Sequence, residues 1–192
     1  METNIENINY NDNVRKYSST FVKIILNNTK IETVKDFVKK VIQAKANENH
    51  HIIDSGMEEK RWTTGFLGEA AVEKFIDTEF IDFSVGSSNK YHVSDLKKIG
   101  YDCGVKTVEK EKFPVIFRKS YKPEIIVVKQ SDKVFYICGL ATVNTLNKYQ
   151  SLDLILSPSL RKRGTKTGFY GFHKLIKPDN IKKYLTETRK IQ

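Results

Sequence analysis

The chain has 192 residues, of which 39% are hydrophobic and 11% aromatic, so it can bury a core and is not globally disordered. Its formal net charge of +10 favours a polyanionic partner, most simply nucleic acid. No apolar run reaches the roughly 18–20 residues of a membrane span, and no signal-peptide pattern begins the chain, which predicts an intracellular, soluble protein. Cys103 and Cys138 lie in apolar runs and are predicted to be buried free thiols.

Two segments of the N-terminal half show apolar residues at helical spacing. The first runs from Ile31 to about Ala46 and predicts an amphipathic helix with a lysine-rich outer face. The second begins near Ser55, with an expected break over residues 63–65. Glu69 lies at the edge of its apolar stripe, next to Gly68. A glycine inside a helix costs about 1 kcal/mol relative to Ala, so its presence indicates close approach of another backbone.

Short β-branched runs bounded by turn residues predict strands in the middle of the chain. The predicted strands are residues 80–85, 101–107, 115–117, 124–128 and 134–138. This order predicts an α/β (α+β) fold with a mixed central β-sheet flanked by helices. We expect a single domain made of a helical N-terminal region (1–60), a core (61–140) and a basic C-terminal region (141–192).

The run from Tyr101 to Thr107 carries the strongest chemical signal. In an extended strand, side chains alternate between faces, so Asp102, Gly104 and Lys106 are expected on one face. Asp95 lies a short loop upstream. A carboxylate and an ammonium on one strand, with a residue lacking a side chain between them, leave room for a metal ion.

Such a group of residues suits phosphodiester hydrolysis. That reaction needs a cation to neutralise charge on the phosphoryl oxygens and an activated water. Mg²⁺ prefers oxygen ligands and keeps several waters, so two or three carboxylates are sufficient. A lysine near the metal can orient the attacking water. The sequence contains neither a Gly-x-Ser-x-Gly elbow nor a complete P-loop, which argues against a serine hydrolase and a P-loop NTPase.

These motifs resemble the PD-(D/E)XK, or restriction-endonuclease-like, nuclease superfamily over about residues 60–140. Gly68-Glu69-Ala70 is similar to the helical acid of that family, Ser94-Asp95 to its Pro-Asp element, and Gly104-Val105-Lys106 to its acid-x-Lys element. The resemblance implies a restriction-endonuclease-like core, Mg²⁺ or Mn²⁺ as cofactor, Glu69, Asp95 and Asp102 as metal ligands, and Lys106 as a catalytic residue.

The sequence departs from the family pattern at two positions. Ser94 replaces the proline, and Gly104 stands where the second acid belongs. Asp102, one strand period earlier, could supply the missing carboxylate. Alternatively, Asp102 is the main acid and Asp95 a loop residue.

The C-terminal segment is strongly basic. From Ser151 to Gln192 it has ten Lys and Arg against three acidic residues. Within it, cations alternate with glycines and aromatic residues, which suits a mobile loop that contacts phosphates and stacks rings on bases. The alternative is a surface hairpin whose Phe169 and Phe172 pack on the core. The predicted nucleic-acid contacts are Arg161, Lys162, Arg163, Lys166 and Lys174.

The leading hypothesis is therefore a metal-dependent endonuclease, with DNA favoured over RNA as its partner. A homodimer is expected if it makes double-strand breaks, as is usual in this family. The first alternative is a nuclease-fold module that binds DNA or RNA without cutting it, with Gly104 marking lost activity. The second is a protein-interaction subunit.

Overall fold

The computed structural model describes residues 8–46, 55–85, 94–155 and 157–189. Its α-helices are Tyr10–Asn13 (α1), Asn28–Ala46 (α2), Ser55–Ile76 (α3), Val143–Lys148 (α4), Pro158–Arg163 (α5) and Ile181–Arg189 (α6). Its strands are Val22–Ile25 (β1), Gly104–Glu109 (β2), Val115–Phe117 (β3), Glu124–Lys129 (β4), Val134–Ala141 (β5), Gln150–Ser151 (β6) and Lys166–Phe169 (β7). Short 3-10 helices include Asp95–Ile99, directly before β2.

The strands form two sheets. The larger sheet has the order β1-β5-β4-β2, in which β4 runs parallel to β2 and the other pairs are antiparallel. The smaller sheet, β3-β7-β6, is antiparallel throughout. The predicted mixed sheet flanked by helices is thus confirmed.

Strand β4 is the centre of the core because all six of its residues are buried. Ile125 and Val127 pack on one side, with α2, α3 and α6. Ile126 and Val128 pack on the other side, against the smaller sheet and α4. This alternation follows from the two-residue period of a strand. Both cysteines are buried and free, as predicted.

Two predicted elements differ in the structure. Helix α3 continues through residues 63–65, and Trp62 stacks on Phe66 across the expected break. Residues 80–85 form no regular strand. The Glu73 carboxylate accepts hydrogen bonds from the backbone N–H groups of Phe80 and Ile81, both at 2.7 Å, so a side chain takes the place of a neighbouring strand there.

The sequence also predicts a turn at residues 86–89 and an extended run at 91–93, and both lie outside the described residues. Among the helices that the structure describes, each is too short or too polar to cross a membrane.

Candidate functional site

Helix α3 lies unusually close to strand β2 at Gly68. A Cβ atom on Gly68 would come within 1.7 Å of Thr107 Oγ1 and 2.7 Å of Thr107 Cβ. Only glycine permits this distance. The contact places the next residue, Glu69, within electrostatic range of Lys106 on β2. Gly68 therefore lets the helix approach the strand, although the atoms it meets belong to the Thr107 side chain rather than to the backbone, and the other helical glycine, Gly65, has no such neighbour.

A second glycine opens space at the start of β2. A Cβ atom at Gly104 would lie 3.4 Å from Asp95 Oδ2 and 3.6 Å from the carboxyl carbon of Glu124. Asp95 begins the 3-10 helix before β2, and its Oδ2 accepts a hydrogen bond of 2.5 Å from the backbone N–H of Val105. Two carboxyl groups from separate elements therefore face the same small volume above Gly104.

Glu124 is a site residue that the sequence analysis missed. It is the first residue of β4 and pairs in parallel register with Gly104, so its carboxyl group lies where a side chain at residue 104 would otherwise project. It is only 4% exposed. Its Oε2 lies 3.6 Å from Lys106 Nζ and accepts no hydrogen bond within the described part of the chain. A buried carboxylate oxygen without a hydrogen-bond donor is costly, and a bound cation could offset that cost.

The surroundings of Glu69 and Asp95 disfavour the charged forms of their carboxyl groups. Burial, followed by the charges of Asp95 and Glu73, raises the pKa of Glu69 well above its usual value, while Lys106 opposes the shift. Burial also raises the pKa of Asp95, against the Val105 hydrogen bond and the charges of Lys122 and Lys106. A bound divalent cation would favour the charged forms of both groups.

Two further lysines surround these carboxylates. Lys122 Nζ donates to Ser94 Oγ at 3.2 Å, and its side chain lies beside Gly104. Lys166 reaches the same region from β7 in the smaller sheet. Burial, then the charges of Lys106 and Arg61, lowers the pKa of Lys166 to about 8, although Glu124 opposes the shift. The site thus combines acids that can hold a cation with amines that can contact phosphate.

A cleft of about 720 Å³ opens beside Glu69 and Asp95. Aromatic side chains, including Trp62 and Phe66, form part of its wall, and cationic residues, including Arg61, lie along it. Its volume and its mixed lining suit a nucleotide-sized ligand.

The structure separates Asp102 from the other predicted acids. Strand β2 begins only at Gly104, so Asp102 precedes it. The carboxylate of Asp102 accepts a hydrogen bond from Ser94 Oγ, and the residue lines a smaller cavity of about 180 Å³ with Tyr184 and Arg189. Asp102 is linked to Lys122 through Ser94. Its role as a metal ligand stays a prediction, and Glu124 has the position that the acid-x-Lys pattern assigns to residue 104.

The basic C-terminal residues are dispersed. Arg161 is tied to the backbone, since its Nε donates to Ile155 O at 2.5 Å and its Nη2 to Asp153 O at 3.0 Å. Lys162 and Arg163 are exposed in the last turn of α5. Lys174 is exposed in a 3-10 turn farther along the chain. Of the five predicted contacts, Lys166 is the one with a shown electrostatic link to the acidic site.

The expectation of a mobile, stacking loop in this segment is wrong. Residues 166–169 form strand β7, and Phe169 and Phe172 are buried in the core beneath the smaller sheet. These rings cannot stack on bases. Their packing on the core agrees with the alternative interpretation, although β7 pairs with β3 and β6 rather than within a local hairpin.

Within the described ranges, no three His, Cys, Asp or Glu side chains are already gathered as a cation-binding group. Asp95 and Glu124 both approach the space above Gly104, and Glu69 is linked to this pair by its electrostatic interactions with Asp95 and Lys106, while Glu124 lies toward Lys106. The fit to a cation rests on the Glu124 oxygen that accepts no hydrogen bond from the described residues and on the space above Gly104.

Comparison with protein families, curated proteins and solved structures finds no match for the chain.

Proposed function

We propose that the protein is a metal-dependent nuclease that hydrolyses phosphodiester bonds in DNA, built on a restriction-endonuclease-like core. The observation that carries the proposal is the approach of Asp95 and Glu124 to the space above Gly104, with Lys106 3.6 Å from Glu124. Glu69 joins them from α3 through its electrostatic coupling to Asp95. The order of helical acid, loop acid and strand lysine supports the fold assignment.

Glu69, Asp95 and Glu124 would hold Mg²⁺ or Mn²⁺. When bound, such a cation supplies charge neutralisation at the phosphoryl oxygens and makes a ligated water more acidic. The three acids are the hard oxygen ligands that these cations prefer. Because Glu124 is supplied by β4, Gly104 does not by itself remove the second acid from the site.

Lys106 would orient the attacking water through its Nζ. Glu124 keeps that ammonium beside the acids, at 3.6 Å from Oε2. Lys122 and Lys166 would contact the non-bridging oxygens of the phosphate, because both are positive groups next to the carboxylates. The overall net charge of +10 favours encounter with a polyanion.

A cleavage assay tests the proposal. Plasmid and single-stranded DNA are incubated with Mg²⁺ or Mn²⁺ and with wild type, Glu124→Gln, Lys106→Ala or Asp102→Asn. We expect Glu124→Gln and Lys106→Ala to lower the rate by about 100-fold or more, the usual scale for losing one transition-state contact.

Glu59→Gln is the matched control, because Glu59 is an exposed acid on the same helix as Glu69. If wild type and the Glu124 and Lys106 variants behave alike, the catalytic assignment is wrong. If the cleavage rate falls with Asp102→Asn but not with Glu124→Gln, Asp102 rather than Glu124 is the second acid of the site.

A binding module without catalysis is the second candidate. It is favoured by Gly104, which stands where the family pattern has its second acid. It predicts tight, salt-dependent binding without a requirement for metal and without cleavage.

A further inference from the structure

Two exposed aromatic rings lie together beside the proposed site. Phe117 is 41% exposed and Tyr121 67% exposed, and their ring centroids are 6.5 Å apart. We call this pair the aromatic platform.

The platform is joined to the acidic site by two lysines. Lys166 is the cross-strand partner of Phe117, and its Nζ lies 3.1 Å from the centre of that ring. Lys166 also interacts electrostatically with Lys106 and Glu124. Lys122 Nζ lies 5.9 Å from the centre of Tyr121, and the same side chain approaches Gly104. The two rings therefore lie next to lysines that also approach the carboxylates of the proposed site.

The segment that carries the platform is held in place by hydrogen bonds. Asn147 accepts from the backbone N–H of Ser120 at 2.8 Å and donates to its carbonyl oxygen at 3.0 Å. Gln150 donates to the carbonyl oxygen of Arg118 at 3.1 Å. Since these bonds hold the backbone between the two aromatic residues, the segment that carries the rings is in place before any ligand arrives, which lowers the entropic cost of binding.

We propose that the aromatic platform stacks an unpaired base of the strand whose phosphate reaches the acidic site, so that the substrate is single-stranded or locally unpaired nucleic acid. Rings interleaved with cations are the usual surface for single-stranded chains, because every base has a face to stack and every linkage a phosphate to neutralise. In a regular duplex both faces of an internal base are already stacked. This inference rests on the proposed function for its link to catalysis.

A binding measurement in EDTA tests the platform without cleavage. The probe is a single-stranded DNA of about 12 nucleotides containing 2-aminopurine, compared with a fully paired hairpin. Wild type is expected to quench the 2-aminopurine. The double variant Phe117→Leu/Tyr121→Leu keeps apolar volume but removes both rings. It should bind the single strand about tenfold to a hundredfold more weakly, with hairpin affinity changed less than about twofold.

Two variants serve as controls, and circular dichroism checks that each is folded. Tyr121→Phe keeps the ring and should bind like wild type. Ile25→Ala alters another exposed apolar residue, 47% exposed on β1, and should also be silent. Unchanged single-strand affinity in the double Leu variant overturns the platform. So does an equal loss for the hairpin, which would indicate a general effect on the surface.

The outcomes separate this inference from the proposed function. Quenching by wild type that is lost in the double Leu variant, without any cleavage in Mg²⁺ or Mn²⁺, supports the platform and contradicts the nuclease. Cleavage by a double Leu variant that retains full single-strand affinity supports the nuclease and contradicts the platform.

Discussion

Helix α3 carries two acids one turn apart, Glu69 and Glu73, and their surroundings are opposite. Glu73 is buried with Lys30 Nζ at 2.6 Å and with two backbone N–H donors at 2.7 Å. Glu69 forms no hydrogen bond or close ion pair with the described residues, and its pKa is raised by burial first and by Asp95 second. A buried carboxylate with full partners stabilises a fold, whereas one beside other acids destabilises it unless a ligand binds.

The difference separates structure from function on one helix. Glu73 holds residues 80 and 81, which line the cleft beside Glu69. Glu69 lines the cleft itself. Substitutions of Glu73 and substitutions of Glu69 should therefore change different properties of the protein.

The largest effect is expected from Glu73→Ala. The change leaves two buried N–H groups without an acceptor and removes the partner of Lys30, so the free energy of unfolding should fall by about 3 kcal/mol. Urea denaturation measures it. The exposed Glu59→Ala on the same helix should change stability by less than about 0.5 kcal/mol. If Glu73→Ala is as stable as Glu59→Ala, the hydrogen bonds and the ion pair of Glu73 do not stabilise the fold.

Mg²⁺ or Mn²⁺ should stabilise wild type by binding to Glu69, Asp95 and Glu124. A cation that binds only the folded state adds about 2.7 kcal/mol at a concentration roughly 100 times its Kd. Thermal unfolding with and without cation gives this shift. Glu124→Gln should abolish it, because one ligand is lost, whereas Glu59→Gln should retain it. An equal shift in Glu124→Gln would place the cation elsewhere.

The two glycines of α3 should respond to alanine with opposite signs. Gly68→Ala would place a methyl group against Thr107. Because this overpacks the core, the free energy of unfolding should fall by about 2 kcal/mol. A methyl group at Gly65 would have no atom within 4 Å, so Gly65→Ala should gain up to ~1 kcal/mol of helix propensity. Urea midpoints compare them. Equal stability of both variants would contradict the close approach of α3 to β2.

The smallest effect is the pH dependence of Glu69→Gln. Since the pKa of Glu69 is raised in the folded state, the native chain keeps a proton that the unfolded chain loses from about pH 4 upward. Stability should therefore fall as pH rises through that window, and Glu69→Gln should exceed wild type by ~1 kcal/mol at neutral pH. The gap should close below about pH 4.

Asp132→Asn should change the pH dependence of stability in the opposite direction. Hydrogen bonds from Lys129 and then Lys35 lower the pKa of Asp132, so its contribution is present above its usual pKa and lost on acidification. Denaturation series from about pH 2 to about pH 8 compare the two variants. If the stability of Glu69→Gln varies with pH in parallel with wild type, folding does not raise the pKa of Glu69.

The sequence predicts the helical acid, the loop acid and the lysine because each lies in a local pattern: an apolar stripe, a turn before a strand, and a strand period. It does not predict Glu124, which lies 20 residues beyond Gly104. That position depends on the parallel pairing of β2 with β4, and residue periodicity carries no information about which strands pair. One signal was present: a lone acid directly after Pro123 at the start of a fully apolar run.

Residues 80–85 show the same limit in the fold. Their alternation resembles a strand, but a carboxylate from α3 takes two of their N–H groups, and only the tertiary structure brings that carboxylate near. Likewise, Asp102 has the right spacing to Lys106 for a strand face, yet the strand begins two residues later. Local spacing predicts candidates, and packing chooses among them.

The central claim is that Glu69, Asp95 and Glu124 hold one divalent cation. Anomalous diffraction from a crystal soaked in Mn²⁺ tests it most directly. We expect one peak in the space above Gly104, within ligand distance of oxygens from Asp95 and Glu124 and next to Glu69. A peak at Asp102 instead, or a fully soaked crystal without a peak among these three acids, would contradict the claim.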